Sequence, residues 1–99
     1  MKKTNPFYKS AKWKKKRKAI LRRDGHLCKL SKRYGKTIQA DTVHHIYPRE
    51  QYPEYAFSDW NLISLSTAMH NTLHNRDDNS LTAAGERLKA ATIPPALQK

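Results

Sequence analysis

Almost all of the positive charge of this chain lies in its first 40 residues. That segment carries 15 lysines and arginines and a single acidic residue, Asp24, whereas residues 41–99 carry five basic and seven acidic residues. Because charged side chains are rarely buried without a partner, a helix in this half can bury only a narrow stripe. The basic half therefore predicts a surface that binds a polyanion, most commonly nucleic acid, with a solvated helix face or a basic tail as the alternative.

Length and cysteine content restrict the fold further. Ninety-nine residues predict a single domain over residues 1–99 with a small core. Cys28 is the only cysteine, which excludes an intramolecular disulfide and an all-cysteine zinc site. No apolar run approaches the roughly 20 residues of a bilayer span, and no signal-peptide pattern follows the basic N-terminus. We therefore expect no membrane association and a cytoplasmic location.

A basic helix is predicted over residues 10–25. Ser10 is a suitable N-cap, and Gly25 follows the last helical residues as a C-cap. The apolar residues of this segment fall near one face at helical spacing, and they are Trp13, Ile20 and Leu21. Lys14, Lys15 and Lys18 face elsewhere, so the helix presents a cationic side to solvent.

The next two segments have different patterns. Residues 26–40 lack helical periodicity and contain a glycine turn, which favours a hairpin or an irregular connection. Residues 41–48, "DTVHHIYP", place β-branched residues on both sides of two adjacent histidines and end in proline. This second segment predicts a strand.

The remainder predicts a surface loop and two helices. A helix begins at Ser66 or Thr67 and carries His70 and His74 four residues apart, one above the other. Residues 77–99 predict a weak C-terminal helix or tail, interrupted by Gly85 and ended by two prolines.

Four of the five histidines lie on the predicted strand and the predicted helix. Two imidazoles at i and i+4 project toward one point and commonly bind a divalent metal, although such pairs also occur on ordinary solvated helices. A third imidazole from the strand would leave an open coordination position, as catalytic metals require. Neighbouring strand residues point to opposite faces, so one of His44 and His45 can bind the metal while the other stays free as a base.

Phosphodiester hydrolysis needs these components. A neutral histidine has a pKa suited to deprotonating water near neutral pH. A divalent cation stabilises the charge on the phosphate and on the departing 3′ oxygen. The cationic N-terminal half suits a polyanionic substrate, so the candidate site and the surface indicate the same ligand.

The ordered segments "RRDGHLC", "ADTVHHIYP", "DWNLISLS" and "MHNTLH" resemble the HNH endonucleases, especially the small phage-encoded type. The resemblance covers roughly residues 13–75. It implies an α+β fold with a ββα-metal core over residues 41–76, a basic N-terminal helix and a short C-terminal helix. It also implies a metal-dependent endonuclease that acts on DNA in a bacterial host cell, beside the phage terminase or in restriction or mobile elements.

The resemblance also implies a role for each site residue. His45 would be the general base that activates water, and His44, His70 and His74 would bind one divalent ion. Mg²⁺ or Mn²⁺ is the expected ion, with Zn²⁺ or Ni²⁺ as alternatives. Asn61 would hold the loop between the strand and the helix by hydrogen bonds. Both a monomer that nicks one strand and a dimer that cuts both strands fit this set.

The chain departs from the phage pattern at its zinc ribbon. Members of that type carry two C-x2-C pairs around the core, whereas this chain has Cys28 and Ser31 at the first pair and Ser66 and Met69 at the second. We therefore expect no structural zinc ribbon. Packing must replace the metal, with Cys28, Leu30, Leu65 and Met69 as candidates.

The expected DNA contacts are the basic residues of the first helix and one arginine beyond His74. They are Lys14, Lys15, Arg17, Lys18, Arg22, Arg23 and Arg76. Two other functions fit the sequence. One is a DNA-binding module of the HNH fold that has lost catalysis, and the other is an RNA-associated protein in which His70 and His74 bind a structural zinc.

Overall fold

The computed structural model describes residues 6–78 and 80–95. The two ends of the predicted domain, residues 1–5 and 96–99, lie outside the described residues, as does position 79. In chain order the described helices and strands are α1 (Pro6–Lys9), α2 (Ala11–Arg23), α3 (Lys29–Arg33), β1 (Thr42–His45), β2 (Leu62–Leu65), α4 (Thr67–Asn71) and α5 (Ala83–Ala91). Two short 3-10 turns at Pro53–Tyr55 and Asp59–Asn61 lie in the loop between the strands.

Strands β1 and β2 form an antiparallel pair in which His44 lies opposite Ile63 and His45 opposite Leu62. Every residue of β2 is buried. Helix α2 contacts both strands, and α4 contacts β1. Strands β1 and β2 followed by α4 form the ββα unit, so the predicted α+β class is confirmed.

Helix α2 has the predicted caps and the predicted buried stripe. The Ser10 hydroxyl accepts a hydrogen bond from the backbone amide of Trp13 at the N-terminus. The helix ends at Arg23, and Gly25 then adopts a positive φ of 65°. Trp13, Ile20 and Leu21 are buried in a core cluster with Val43 and Leu62 of the strands.

The four positions that match the zinc-ribbon pairs lie at a second core cluster, which contains Cys28, and Ser31 and Ser66 hydrogen-bond to Cys28. Cys28 is fully buried, and its sulfur accepts a hydrogen bond from the Ser31 hydroxyl at 3.1 Å. Burial raises the pKa of the Cys28 thiol, but hydrogen bonds from Ser31 and Ser66 outweigh this effect and leave the pKa below its usual value. Met69 packs against the same cluster. Hydrogen bonding and packing therefore hold Cys28 and Met69 in place.

Two segments differ from their predicted structures near the strands. Residues 26–40 contain the helix α3, closed by a bridge between Leu27 and Gln39, where we expected a hairpin or irregular chain. The predicted strand 41–48 is regular only over Thr42–His45. It ends early because the backbone amide of Tyr47 donates to the side chain of Asn61 rather than to a strand partner.

The helix that carries His70 is shorter than predicted. Helix α4 ends at Asn71, where the Thr72 hydroxyl donates to the Met69 carbonyl at 2.6 Å and competes with the next helical turn. His74 therefore lies beyond the helix, in a bridge with Leu81.

The prediction that Gly85 interrupts the C-terminal helix is wrong. Gly85 lies inside α5, where it is buried. A Cβ at this position would come within 2.5 Å of the Leu73 carbonyl oxygen, so the glycine permits close packing of the helix.

No helix within the described ranges is long and apolar enough to cross a membrane.

Candidate active site

An open cleft of about 450 Å³ brings together the residues that the sequence singled out from distant segments. Both histidines of β1 line it, and so do His70 and His74. Arg17 of α2 also lines the cleft. The cleft therefore unites the four histidines with part of the basic helix.

The two histidines of β1 have different neighbours, as adjacent residues of a strand should. The ring of His44 contacts the rings of His70 and His74 at centroid distances of 5.0 and 5.1 Å. The ring of His45 stacks on Trp13 of α2 at a centroid distance of 4.9 Å. His44 therefore joins His70 and His74, whereas His45 lies apart from them against Trp13.

His44, His70 and His74 form a compact triangle. One ring nitrogen from each of the three lies within 4.8 Å of the other two. Nδ1 of His44 is 3.3 Å from Nε2 of His74. Two nitrogens that bind one ion at about 2.1 Å with a tetrahedral angle between them lie roughly 3–3.5 Å apart, so this pair has suitable geometry.

Burial keeps two members of this triangle, His44 and His70, uncharged at neutral pH. Burial and, to a smaller extent, repulsion from the neighbouring histidines together lower the pKa of His44 to about 2 and that of His70 to about 4. Neutral imidazole is the form that binds metals. Nε2 of His44 is buried without a hydrogen-bond partner among the described residues, so protein atoms leave this ring incompletely bonded. The close ring nitrogens of the triangle and the neutral forms of His44 and His70 fit a divalent cation.

His45 is held by a backbone carbonyl. Its Nε2 lies 3.1 Å from the carbonyl oxygen of Ala56, and only a protonated nitrogen can donate to that oxygen. The bond therefore favours the tautomer in which Nδ1 keeps its lone pair. Burial lowers the pKa of His45, and the positive charge of Arg49 lowers it further, while the Ala56 bond and Glu50 oppose this shift.

Asn61 is fully buried, and among the described residues its carboxamide bonds only to backbone groups. Its oxygen accepts from the Tyr47 amide at 2.7 Å, and its nitrogen donates to the carbonyl oxygens of Tyr47 and Tyr55. These residues belong to the loop that joins β1 to β2, rather than to the connection before the helix. Asn61 thus fastens the loop that carries the Ala56 carbonyl.

The seven basic residues predicted to contact DNA have different surroundings. Lys14, Lys15, Lys18 and Arg22 are exposed on α2, and exposed Arg76 lines a second cavity with His70 and His74. Arg17 donates to the backbone oxygen of Asp41 at the cleft.

The side chain of Arg23 makes hydrogen bonds within the protein. Its guanidinium donates to Asp24 and to the carbonyl oxygens of Asp59 and Leu62, and Asp24 in turn accepts from the Ser64 amide. These bonds connect α2 to β2. Arg23 therefore stabilises the fold, although it was predicted to contact DNA.

Arg49 and Tyr8 also line the cleft, and neither was predicted from the sequence. The signal for Arg49 was its position four residues after His45, on the turn that follows the strand. No comparable sequence signal points to Tyr8.

The comparisons with known proteins agree with this geometry. Neither the family models nor the curated proteins that were searched give a match. Among solved structures, the chain is similar to the HNH endonuclease of the deep-sea thermophilic bacteriophage GVE2, crystallised with a manganese ion. The two are 35% identical with a TM-score of 0.65, over 67% of this chain and 72% of the phage protein.

The chain belongs to the HNH endonuclease family. The resemblance found in the histidine and asparagine segments is thereby confirmed, and so is the enzyme class, a nuclease. The triangle of this HNH nuclease takes His44 and His70 from the ββα unit and His74 from the segment just after it. The individual roles of its residues stay predictions and are argued below.

Proposed function

We propose that this HNH nuclease is a divalent-metal-dependent endonuclease that hydrolyses DNA. One observation carries the proposal: a triangle of three histidines and a separate, differently held histidine line the same cleft. A protein that only bound a metal would not need the fourth imidazole. A protein that only bound DNA would need neither the histidine triangle nor the fourth imidazole.

His45 is the general base in this proposal. Its Nε2 is engaged with the Ala56 carbonyl, which leaves Nδ1 to accept a proton from water. Because its pKa is lowered, His45 is unprotonated at neutral pH and ready to act. Water then adds to phosphorus, its proton passes to His45, and the bond to the 3′ oxygen breaks to leave a 5′-phosphate and a 3′-hydroxyl protonated from solvent.

His44, His70 and His74 hold the cation. A bound divalent ion supplies positive charge to the phosphate and to the departing 3′ oxygen. Imidazole nitrogens suit transition metals, whereas Mg²⁺ prefers oxygen ligands. The all-nitrogen set therefore favours Mn²⁺, Ni²⁺ or Zn²⁺ over Mg²⁺, and the similar phage enzyme was crystallised with manganese.

DNA is the proposed substrate, and the cationic face of α2 supports it. Lys14, Lys15, Lys18 and Arg22 are exposed there, and Arg17 and Arg76 lie beside the histidines. Phosphate contacts of this kind fix the position of a duplex without reading its sequence. Association with a phage terminase stays a prediction from the family resemblance.

A plasmid-cleavage assay tests the proposal. Wild-type protein is incubated with supercoiled plasmid and Mg²⁺, Mn²⁺, Co²⁺, Ni²⁺ or Zn²⁺ in turn. His45→Ala should lower the cleavage rate roughly 10²–10⁴-fold, the usual contribution of a general base, while metal and DNA still bind. His26→Asn is the matched control, because His26 lies in a turn at a φ of 59° that asparagine tolerates.

Two results would count against the proposal. A His45→Ala variant that cuts at the wild-type rate would remove His45 from the base role. Wild-type protein that binds DNA and never cuts it with any of the five ions would instead favour the inactive DNA-binding module.

A further inference from the structure

Arg49 places a cation inside the catalytic cleft. It lies four residues after His45, and its side chain is only 18% exposed. Its guanidinium lies over the ring of Phe7 at 4.4 Å and near the ring of Tyr8 at 5.4 Å, both from the N-terminal helix α1. The ring of Phe7 also contacts His45 at a centroid distance of 5.8 Å. One aromatic side chain therefore supports both the proposed base and this arginine.

The donors of Arg49 contrast with those of two other arginines. Arg23 uses its donors on one carboxylate and two backbone oxygens, and Arg17 donates to the Asp41 carbonyl. Nε of Arg49 is buried without a hydrogen-bond partner in the part of the chain that the structure describes. Its carboxylate neighbour, Glu50, is 3.7 Å away and largely exposed, which makes a weak ion pair.

Such an arrangement costs stability. A buried charged donor without a hydrogen-bond partner loses hydration that nothing fully replaces. The ring of Phe7 offsets part of this cost through a cation–π contact, which also fixes the guanidinium in place. The guanidinium is planar, and when it is held in place, partly dehydrated and left with an unpartnered Nε, it is suited to bidentate binding of two oxygens of a phosphate.

We propose that Arg49 binds the phosphate whose ester bond is cut, so that it acts on the reacting group rather than on flanking DNA. The inference rests on the proposed nuclease function and adds a residue to it. Charge builds on the non-bridging oxygens as water adds to phosphorus, and a fixed cation beside them stabilises that state more than the ground state. Arg49 forms no covalent bond and transfers no proton in this step.

Two substrates separate the scissile phosphate from its neighbours. Bis(p-nitrophenyl) phosphate carries one phosphodiester and no flanking DNA, whereas plasmid carries many phosphates. Arg49→Gln and Arg49→Lys are compared with Arg87→Gln, an exposed arginine on α5 that does not line the cleft. Thermal melting and Mn²⁺ titration of each variant check that the fold and the histidine triangle are intact.

Arg49→Gln should lower kcat roughly 10²–10³-fold on both substrates, the usual effect of removing one fixed donor to a developing oxyanion. Arg49→Lys should lose about tenfold, because lysine keeps the charge without the bidentate geometry. Arg87→Gln should match wild type.

The inference is overturned if either folded Arg49 variant hydrolyses the small diester at the wild-type kcat. This holds even if the same variant cleaves plasmid more slowly. Should Arg49→Gln fail to fold, Arg49→Lys decides alone. Failure of the nuclease proposal is distinguishable, because wild-type protein would then be inert toward both substrates with every ion.

Discussion

The imidazole of His45 lies nearly parallel to the indole of Trp13, with the ring centroids 4.9 Å apart and the ring planes inclined by 23°. Trp13 is itself buried in the core cluster of α2 and the strands. The basic helix therefore does more than present cations to DNA, because its buried stripe covers the proposed base.

This stacking gives a prediction for the pH dependence of catalysis. His45 works as a base only when it is unprotonated, so kcat/KM should fall as the pH drops through its pKa, which burial holds below about 6.5. Trp13→Phe leaves a smaller ring and admits water to His45. The pKa should then rise, and the acid limb of kcat/KM should move toward higher pH.

The measurement is kcat/KM for bis(p-nitrophenyl) phosphate between pH 5 and 8. Phe57→Leu is the matched control, because Phe57 contacts Trp13 and Phe7 but does not line the cleft. An acid limb that stays in place in Trp13→Phe, or moves equally in both variants, would contradict the covering role of Trp13.

The histidine triangle gives a prediction for the stability of the metal-free protein. The pKa of His44 in the folded state is about 2, so the folded protein keeps this ring neutral at any pH well above that value. A histidine in the unfolded chain takes up a proton near pH 6.5. The stability that burial of the neutral ring provides is therefore complete above about pH 6.5 and is lost as the pH falls. His44 alone contributes a slope of up to about 1.4 kcal/mol per pH unit.

Urea unfolding in EDTA at pH 7.5, 6 and 5 measures this slope. His70 steepens it until the pH approaches its own folded pKa of about 4. Excess Mn²⁺ at pH 7.5 should raise the unfolding midpoint, because it binds only the folded triangle. Equal stability at pH 7.5 and 5 without metal would show that His44 is not buried in its neutral form.

Two adjacent arginines of α2 are predicted to behave differently. Arg22→Gln should weaken DNA binding and reduce the salt dependence by about one unit, with unchanged stability, because Arg22 is exposed. Arg23→Gln should cost about 2 kcal/mol of stability, because it removes the charged partner of buried Asp24 and leaves the hydrogen bonds from Ser64. Burial raises the pKa of Asp24, but the hydrogen bonds from Arg23 and Ser64 outweigh it and hold the pKa below its usual range.

Fluorescence anisotropy with labelled duplex in EDTA, at several salt concentrations, measures binding, and urea unfolding measures stability. Each variant serves as the control for the other. A loss of stability in Arg22→Gln with none in Arg23→Gln would reverse the assignment.

The sequence revealed the site better than it revealed what supports the site. His44, His45, His70, His74 and Asn61 could be picked out because their chemistry and order are unusual in so short a chain. The linkage of Arg23 and Asp24 to Ser64 could not be predicted from the sequence, because Asp24 and Ser64 are 40 positions apart and share no local pattern. Arg49 was missed for a related reason, because its position four residues after His45 does not reveal its burial against Phe7.

The helix ends illustrate a second limit. The spacing of His70 and His74 predicts one helical face, and the structure does bring their rings to a centroid distance of 4.9 Å. It does so with His74 outside the helix, in the bridge to Leu81. Local periodicity therefore gave the correct neighbours through an incorrect element, because tertiary pairing with the segment before α5 overrides the helical preference of residues 72–74.

That pairing makes Gly85 a sensitive position far from the catalytic chemistry. An ideal Cβ on Gly85 would lie 2.5 Å from the Leu73 carbonyl oxygen, which already accepts the Thr82 amide, and 3.0 Å from the Leu81 side chain. Replacement of glycine by alanine inside an exposed helix normally stabilises it by about 1 kcal/mol.

Here Gly85→Ala should instead destabilise the protein by about 1–3 kcal/mol, the usual cost of overpacking, and should weaken Mn²⁺ binding because His74 follows Leu73 directly. Ala90→Gly, at an exposed position of the same helix, should cost about 1 kcal/mol or less and leave Mn²⁺ affinity unchanged. Urea unfolding and calorimetric Mn²⁺ titration of the two variants measure both quantities, and a Gly85→Ala protein more stable than wild type would mean that α5 does not pack on the chain beside His74.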